Sequence, residues 1–329
     1  MKRNKKKKEI ILLCAFFIAS LSACTTQKSV VTSDSLQPNS NVQAALEQQA
    51  GGGKNYNYVW FAEDIDRAIE EYRNSYKQDL EQFNESIQSG DLSAKQEYES
   101  FQKEMEQELA CAREELEKER LLDPVVSAQE AANLAGLVLE KNYGIDLSQK
   151  ELRLSCMKIH VNGIDRLQWH AVLDEEADGS LFSSCTADVT LDATTGELVT
   201  AEYYPSYEEY QSISSSLPEC YQPTDDPDAL GVYGFYKVDD PAFDEFKQKV
   251  SEQIHNALSQ SVLANGANVS GIEICAVDGA VKNETLSISV TYDNGNTALL
   301  TSTRPSVNYD FGGYPLRGYQ YENTSYYNS

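Results

Sequence analysis

Cys156, His160, His170 and Asp174 fall on two consecutive predicted strands, Glu151 to Val161 and Leu167 to Asp174, with a turn between them at Val161-Asn162-Gly163-Ile164-Asp165. A thiol, two imidazoles and a carboxylate are the groups that bind zinc or make an activated cysteine nucleophile. If the turn centres on Asp165, the two histidines face each other and Cys156 faces Asp174. Alternation along the strands, however, puts each pair on an exposed sheet face, and no neighbour in sequence marks Cys156 as activated. These residues therefore read as ordinary surface or half-buried side chains, with no metal and no catalytic role. Asp225-Asp226-Pro227-Asp228 has the carboxylate density of a calcium loop but lacks the EF-hand spacing and the distal glutamate. It reads as a solvated turn. A Gly-rich phosphate loop, a G-x-S-x-G elbow and an H-E-x-x-H helix are all missing from the sequence. No cofactor is implied, and an enzyme is not expected.

Cys24 carries a different chemistry. Before it stand Lys2, Arg3 and Lys5 to Lys8, then an apolar run from Ile10 to Ala23. That run is shorter than the about 20 apolar residues that span a bilayer, and a basic stretch followed by a short apolar one is the pattern of a secretion signal. The run ends in Leu21-Ser22-Ala23-Cys24, which resembles the lipobox of bacterial lipoproteins. The resemblance implies cleavage just before Cys24 and a diacylglyceryl group on its thiol, with palmitate as the expected kind of acyl chain. Two acyl chains hold a protein on a membrane far better than one. The expected location is the cell membrane, lipid-anchored, on its extracytoplasmic face, so the membrane is the first partner.

The chain holds 27 basic and 52 acidic residues. The first 23 residues contain 6 of the basic and 1 of the acidic ones, leaving 21 against 51 from Cys24 onward, a formal charge of −30. Nucleic acid is excluded as a partner, because phosphate binding needs dense Lys and Arg. Close adsorption to anionic lipid is disfavoured for the same reason. Five cysteines remain after Cys14 and Cys24: Cys111, Cys156, Cys185, Cys220 and Cys275. Their number is odd and no C-x-x-C pair exists, so zinc or thioredoxin-like chemistry is not indicated and the pairing stays open.

The elements that must position any surface follow from periodicity. Residues 1–23 are the signal peptide, and 24–57 form a polar linker ending near Gly51-Gly52-Gly53. Residues 58–122 read as an antiparallel helical hairpin of coiled-coil type. Ile65, Ile69, Tyr72, Tyr76, Leu80, Phe83 and Ile87 repeat at helical spacing, and Ala94, Tyr98, Phe101, Met105, Leu109, Ala112 and Leu116 repeat it after the break at Ser89-Gly90-Asp91. The segment carries 18 acidic and 8 basic side chains. Asp123-Pro124 stops the second helix. Ser127 with Glu130 opens another through a capping box, and four alternating segments then predict an antiparallel sheet buried on one face.

One of those segments ends in Asp192-Ala193-Thr194-Thr195-Gly196-Glu197. The order of a helix, Tyr143-Gly144, a Trp169-bearing strand and this D-x-x-T-G-E turn resembles a PepSY domain over residues 123–205. The resemblance implies a binding module of the kind found in peptidase propeptides and extracytoplasmic proteins. Physically, Asp192, Thr195, Gly196 and Glu197 read as a structural turn: Asp192 accepts backbone N–H groups and Gly196 takes a positive φ. Residues 206–239 form a Tyr-rich connection, and residues 240–305 a second α+β unit of similar order that lacks the hexapeptide. Residues 306–329 read as a loose Tyr- and Gly-rich tail. Tyr203, Tyr204, Tyr207 and Tyr210 are the candidate partner surface, since Tyr is enriched where proteins meet.

The fold class is therefore α+β: a helical hairpin, a PepSY-like helix-plus-sheet unit and a second similar unit. The expected function is to bind or regulate another exported protein, such as a peptidase or cell-wall hydrolase. The alternative is an assembly lipoprotein acting through the hairpin in a cell-envelope complex.

Overall fold

The computed structural model describes residues 54–89, 92–175, 184–204, 235–236, 241, 244–259, 267–278, 285–302 and 317–328. All of them belong to one compact unit, residues 37–329. The unit is mixed α+β, with one mostly antiparallel sheet. The expected signal peptide and Cys24 lie outside the described residues, as do Asp225 to Asp228.

In chain order the elements begin with β1 (Tyr58–Trp60), α1 (Ile65–Ser75), α2 (Lys77–Gln88) and α3 (Leu92–Arg120). Helix α4 (Ala128–Tyr143) and strands β2 (Leu152–Val161), β3 (Ile164–Glu175), β4 (Ser184–Asp192) and β5 (Leu198–Tyr203) follow. After β6 (Phe235–Tyr236) come α5 (Asp244–Ser259), β7 (Val269–Asp278), β8 (Thr285–Tyr292), β9 (Thr297–Ser302), β10 (Gln320–Glu322) and α6 (Thr324–Asn328). Among the described residues, no helix is long and apolar enough to cross a membrane.

The ten strands form a single sheet in the order β1-β2-β3-β4-β5-β10-β9-β8-β7-β6. Among the described residues, β1 and β2 are the one parallel pair. Each half is a helix followed by a four-strand meander, and the two meanders meet through the antiparallel pair β5 and β10. The alternation in sequence decides which face is buried. One row of register partners crosses eight strands: Leu154, Ala171, Val189, Ala201, Tyr321, Leu300, Ile288 and Ile274. All but Ile274 are fully sealed from water. The same apolar cluster includes Leu139 and Tyr143 from α4 and Val250, Ile254 and Leu258 from α5, so both helices roof this face.

Local chemistry explains α4. The Ser127 hydroxyl accepts from the Glu130 N–H, and the Glu130 carboxylate accepts from the Ser127 N–H, closing the capping box. Gly144 ends the helix at φ 69°, in the left-handed region where a side chain is disfavoured. Gly136 in its middle has a packing reason instead. A Cβ there would sit 2.4 Å from Cγ of Tyr56, so only glycine lets that ring lie flat on the helix.

Four boundaries differ from those read in the sequence. The linker ends earlier than residue 57, because Tyr56 is buried and the Asn57 carbonyl accepts the Leu152 N–H at 3.0 Å. Residues 58–60 are an edge strand and not the start of a helix. The first apolar helical run is divided at Tyr76 into α1 and α2. The tail contributes the central strand β10 with Tyr319 and Tyr321 buried, so the second unit runs past residue 305 and shares its sheet with the first.

Along the arm, the Asp66–Arg113 and Arg73–Glu106 ion pairs and the Phe83–Tyr98 ring contact pair α1 and α2 with α3 in opposite sequence directions. Phe61, Ala62, Ile65, Ala68 and Ile69 bury against Met105, Leu109 and Leu116 at the end nearer the sheet.

Candidate functional site

The D-x-x-T-G-E turn is a hub of hydrogen bonds. Asp192 Oδ1 accepts from the N–H groups of Thr194 and Thr195, both at 2.8 Å, and from the Thr195 hydroxyl at 3.1 Å. The Gly196 N–H donates to the Asp192 carbonyl at 2.9 Å, and Gly196 has φ 76°. The Thr195 hydroxyl accepts from the Glu197 N–H at 3.2 Å. Asp192 Oδ1, the Thr195 hydroxyl and the N–H groups of Thr194 to Glu197 are thus satisfied within six residues.

The second oxygen of Asp192 reaches across the molecule. Tyr326 of α6 donates its hydroxyl to Asp192 Oδ2 at 2.8 Å. Asn323, itself buried, donates to Glu197 Oε1 at 2.8 Å, and its N–H donates to the Val199 carbonyl at 2.8 Å. Burial, followed by the Asp192 charge, raises the Glu197 pKa, while its bond from Asn323 works against that rise. The Arg166 guanidinium lies over the Tyr326 ring at 4.6 Å. The turn therefore clasps the C-terminal segment over one end of the sheet face opposite α4 and α5.

The middle of that opposite face is polar and wetter. Register partners His170, Thr190, Thr200, Glu322, Leu299 and Ser289 cross six strands in one row. Glu322 is exposed, and His170, Thr200, Leu299 and Ser289 are half-buried. Beside the row, Tyr204 is 43% exposed at the end of β5, and its hydroxyl bonds Glu202. Small hydroxyls, carboxylates and one ring thus line this part of the face.

Tyr203, grouped with Tyr204 from sequence, lies on the other side. It is 9% exposed and packs in the core, where Arg317 covers its ring at 4.9 Å and donates to its hydroxyl at 2.9 Å. Alternation along β5 separates the two rings, so Tyr203 is withdrawn from the candidate surface. Tyr207 and Tyr210 lie outside the described residues.

The Cys156, His160, His170 and Asp174 group does not assemble. The turn is the two-residue Asn162-Gly163, with φ 51° and 82°, a type I′ geometry. It pairs Cys156 with Trp169 and Ser155 with His170. His160 binds Asp165 at 2.9 Å, whereas His170 binds Asp188 on the opposite face. Cys156 is buried, and burial together with the Glu119 charge pushes its thiol up to about 12, the opposite of what a nucleophile needs. Among the described residues, no group of three or more His, Cys, Asp and Glu side chains is placed to hold a metal ion. Cys111 is a free, exposed thiol.

One polar cluster had no sequence signal. The Glu119 carboxylate, at the end of α3, accepts from Trp60 Nε1 and from the Cys156 N–H, each at 2.6 Å. Trp60 stands edge-on to Trp169 with ring centroids 5.1 Å apart. Burial raises the Glu119 pKa against the pull of both bonds. The cluster joins the helical arm to the sheet.

No known protein family matches this chain, and neither a curated protein nor a solved structure is similar to it.

Proposed function

We propose that the chain is a lipoprotein anchored through Cys24 to the extracytoplasmic face of the cell membrane. Its α+β body is PepSY-like and binds or restrains another exported protein, such as a peptidase or cell-wall hydrolase. The observation that carries this reading is the asymmetry of the sheet. One face is sealed beneath α4 and α5, while on the other His170, Thr200, Leu299 and Ser289 are half-buried and Glu322 is exposed around a buried Thr190. A large sheet that keeps one face in water presents a rigid platform on which backbone shape is fixed and side chains can specify a partner.

Two features support the finer architecture. Helix-then-meander order recurs in both halves, in keeping with a second, degenerate copy of the first unit. The turn Asp192 to Glu197, part of the motif that carries the resemblance, closes on its own side chains as its residue types allow. The formal charge of −30 beyond residue 23 favours a body held clear of anionic lipid.

A photo-crosslinking residue placed at Thr200 or Leu299 in the native cell tests the platform. It should trap one discrete exported protein, and the same residue at the exposed Lys141 on α4, on the roofed side of the sheet, should not. Adducts that form equally at all three positions, or at none, overturn the reading. Fatty-acid labelling tests the anchor separately: Cys24→Ser should abolish the label and move the protein to the aqueous fraction.

A further inference from the structure

The two ends of the helical arm bury their seams unequally. Near the sheet, Ile65, Ile69, Met105 and Leu109 are sealed, because Phe61 and Ala62 close the space beside them. Farther out, among the described residues, α2 and the first half of α3 remain. There Ala94 is buried, but Leu80, Phe83, Ile87, Tyr98 and Phe101 stay half-buried, although Phe83 meets Phe101 at 5.4 Å and Tyr98 at 6.3 Å. Two helices cover only the sides that face each other, so the outer edges of this seam stay open to a third.

Charge selects the occupant. Asp79, Glu97 and Glu104 immediately precede the seam residues Leu80, Tyr98 and Met105, so carboxylates edge the stripe. Residues 57–122 as a whole hold 18 acidic against 8 basic side chains. A second copy of this arm would bring the same sign to the same place, and like charges brought together across an interface oppose association. We propose that the distal arm, Lys77–Gln88 with Leu92–Phe101, is a docking site for a basic amphipathic helix of a partner protein. Such a helix lays its apolar side on Leu80, Phe83 and Phe101 and its lysines or arginines against the carboxylate edge. Individual exposed ion pairs are worth little, so burial supplies the affinity while the acidic field speeds encounter and rejects acidic helices.

The proposal is independent of the sheet-face platform, and the two fail separately. The probe is a helix-forming peptide of about 21 residues with leucines at seam spacing and lysines beside them. The control has the same composition in a permuted order that breaks the apolar stripe. With the full chain, fluorescence anisotropy should show the amphipathic peptide bound at least about tenfold more tightly than the permuted one. Binding should weaken as salt rises from about 50 to 300 mM. Phe83→Ser should cost about tenfold. The exposed double variant Glu97→Lys with Glu104→Lys, which leaves the seam untouched, should do the same while circular dichroism stays unchanged. Replacing residues 77–104 by a short loop should abolish peptide binding and leave crosslinking at Thr200 intact. Equal affinity for both peptides, or an indifferent Glu97→Lys/Glu104→Lys variant, overturns the proposal. So does sedimentation showing a dimer of the chain that Phe83→Ser dissociates.

Discussion

Glu119 ends the edge of a sheet with a side chain. Strand β1 stops at Trp60, opposite Leu154, so the next edge N–H of β2, that of Cys156, has no strand to receive it. The carboxylate takes that N–H and the Trp60 indole N–H together. Its pKa lies above the ordinary 4.5 because burial outweighs both bonds. The folded state therefore holds this proton more tightly than the unfolded one, and the sign follows by linkage. The favourable contribution is complete below about pH 4.5 and is lost as pH rises through the higher folded value. Glu119→Gln keeps an acceptor without the charge. Its stability relative to wild type should rise between pH 4.5 and 7 in urea titrations, and a flat or falling difference contradicts the account. Glu119→Ala should cost about 1–3 kcal/mol at pH 7, because two donors lose their acceptor. In the sequence Glu119 is one acid among 18 in its segment, with nothing local to single it out. The apparent Cys156–His170 site fails for a related reason. Moving a turn from Asp165 to Asn162-Gly163 changes every cross-strand partner, and residue types alone do not fix register.

At the scale of elements, the turn after β4 was legible because its bonds close within six residues. Asp192, Thr195 and Gly196 do in the fold what their types allow. What the sequence could not show is the second grip, since Tyr326 lies 134 positions from Asp192. Local pattern carries no information over that distance. The double role has a thermodynamic signature. Asp192→Ala removes an acceptor from the turn and from α6 at once, and should cost about 2–4 kcal/mol. Tyr326→Phe alone should cost about 1 kcal/mol. In the Asp192→Ala background the Tyr326→Phe loss should largely vanish, because their shared bond is already gone. Equal losses in both backgrounds, measured by denaturant unfolding, would show that the clasp does not exist. Helix α4 was legible for the same local reason, through Ser127 with Glu130. By contrast, the packing need at Gly136 depends on Tyr56, 80 positions earlier.

Across the whole molecule, alternation shows which side of each strand faces the core but not the order in which strands pair. Residues 306–329 look loose because Gly, Asn and Tyr dominate them, yet β10 is the strand that joins both meanders. Its Tyr321 lies between Ala201 and Leu300, one partner from each half. The Tyr143 hydroxyl from α4 reaches the Ala201 carbonyl at 2.9 Å and the Tyr319 carbonyl at 3.1 Å, fixing the roof to both central strands. Two α+β units built this way share one core and should unfold together. Tyr321→Ala deletes a ring that is 2% exposed, a change that should cost about 3–5 kcal/mol out of the 5–15 kcal/mol usual for a folded domain. Amide hydrogen exchange locates the loss. If the sheet is one cooperative body, protection should fall by similar factors at Trp169 in β3 and at Ile288 in β8, three and two strands away from Tyr321. Should only β7 to β9 lose protection, the halves are separate folding units in contact, and the central strand belongs to the second alone.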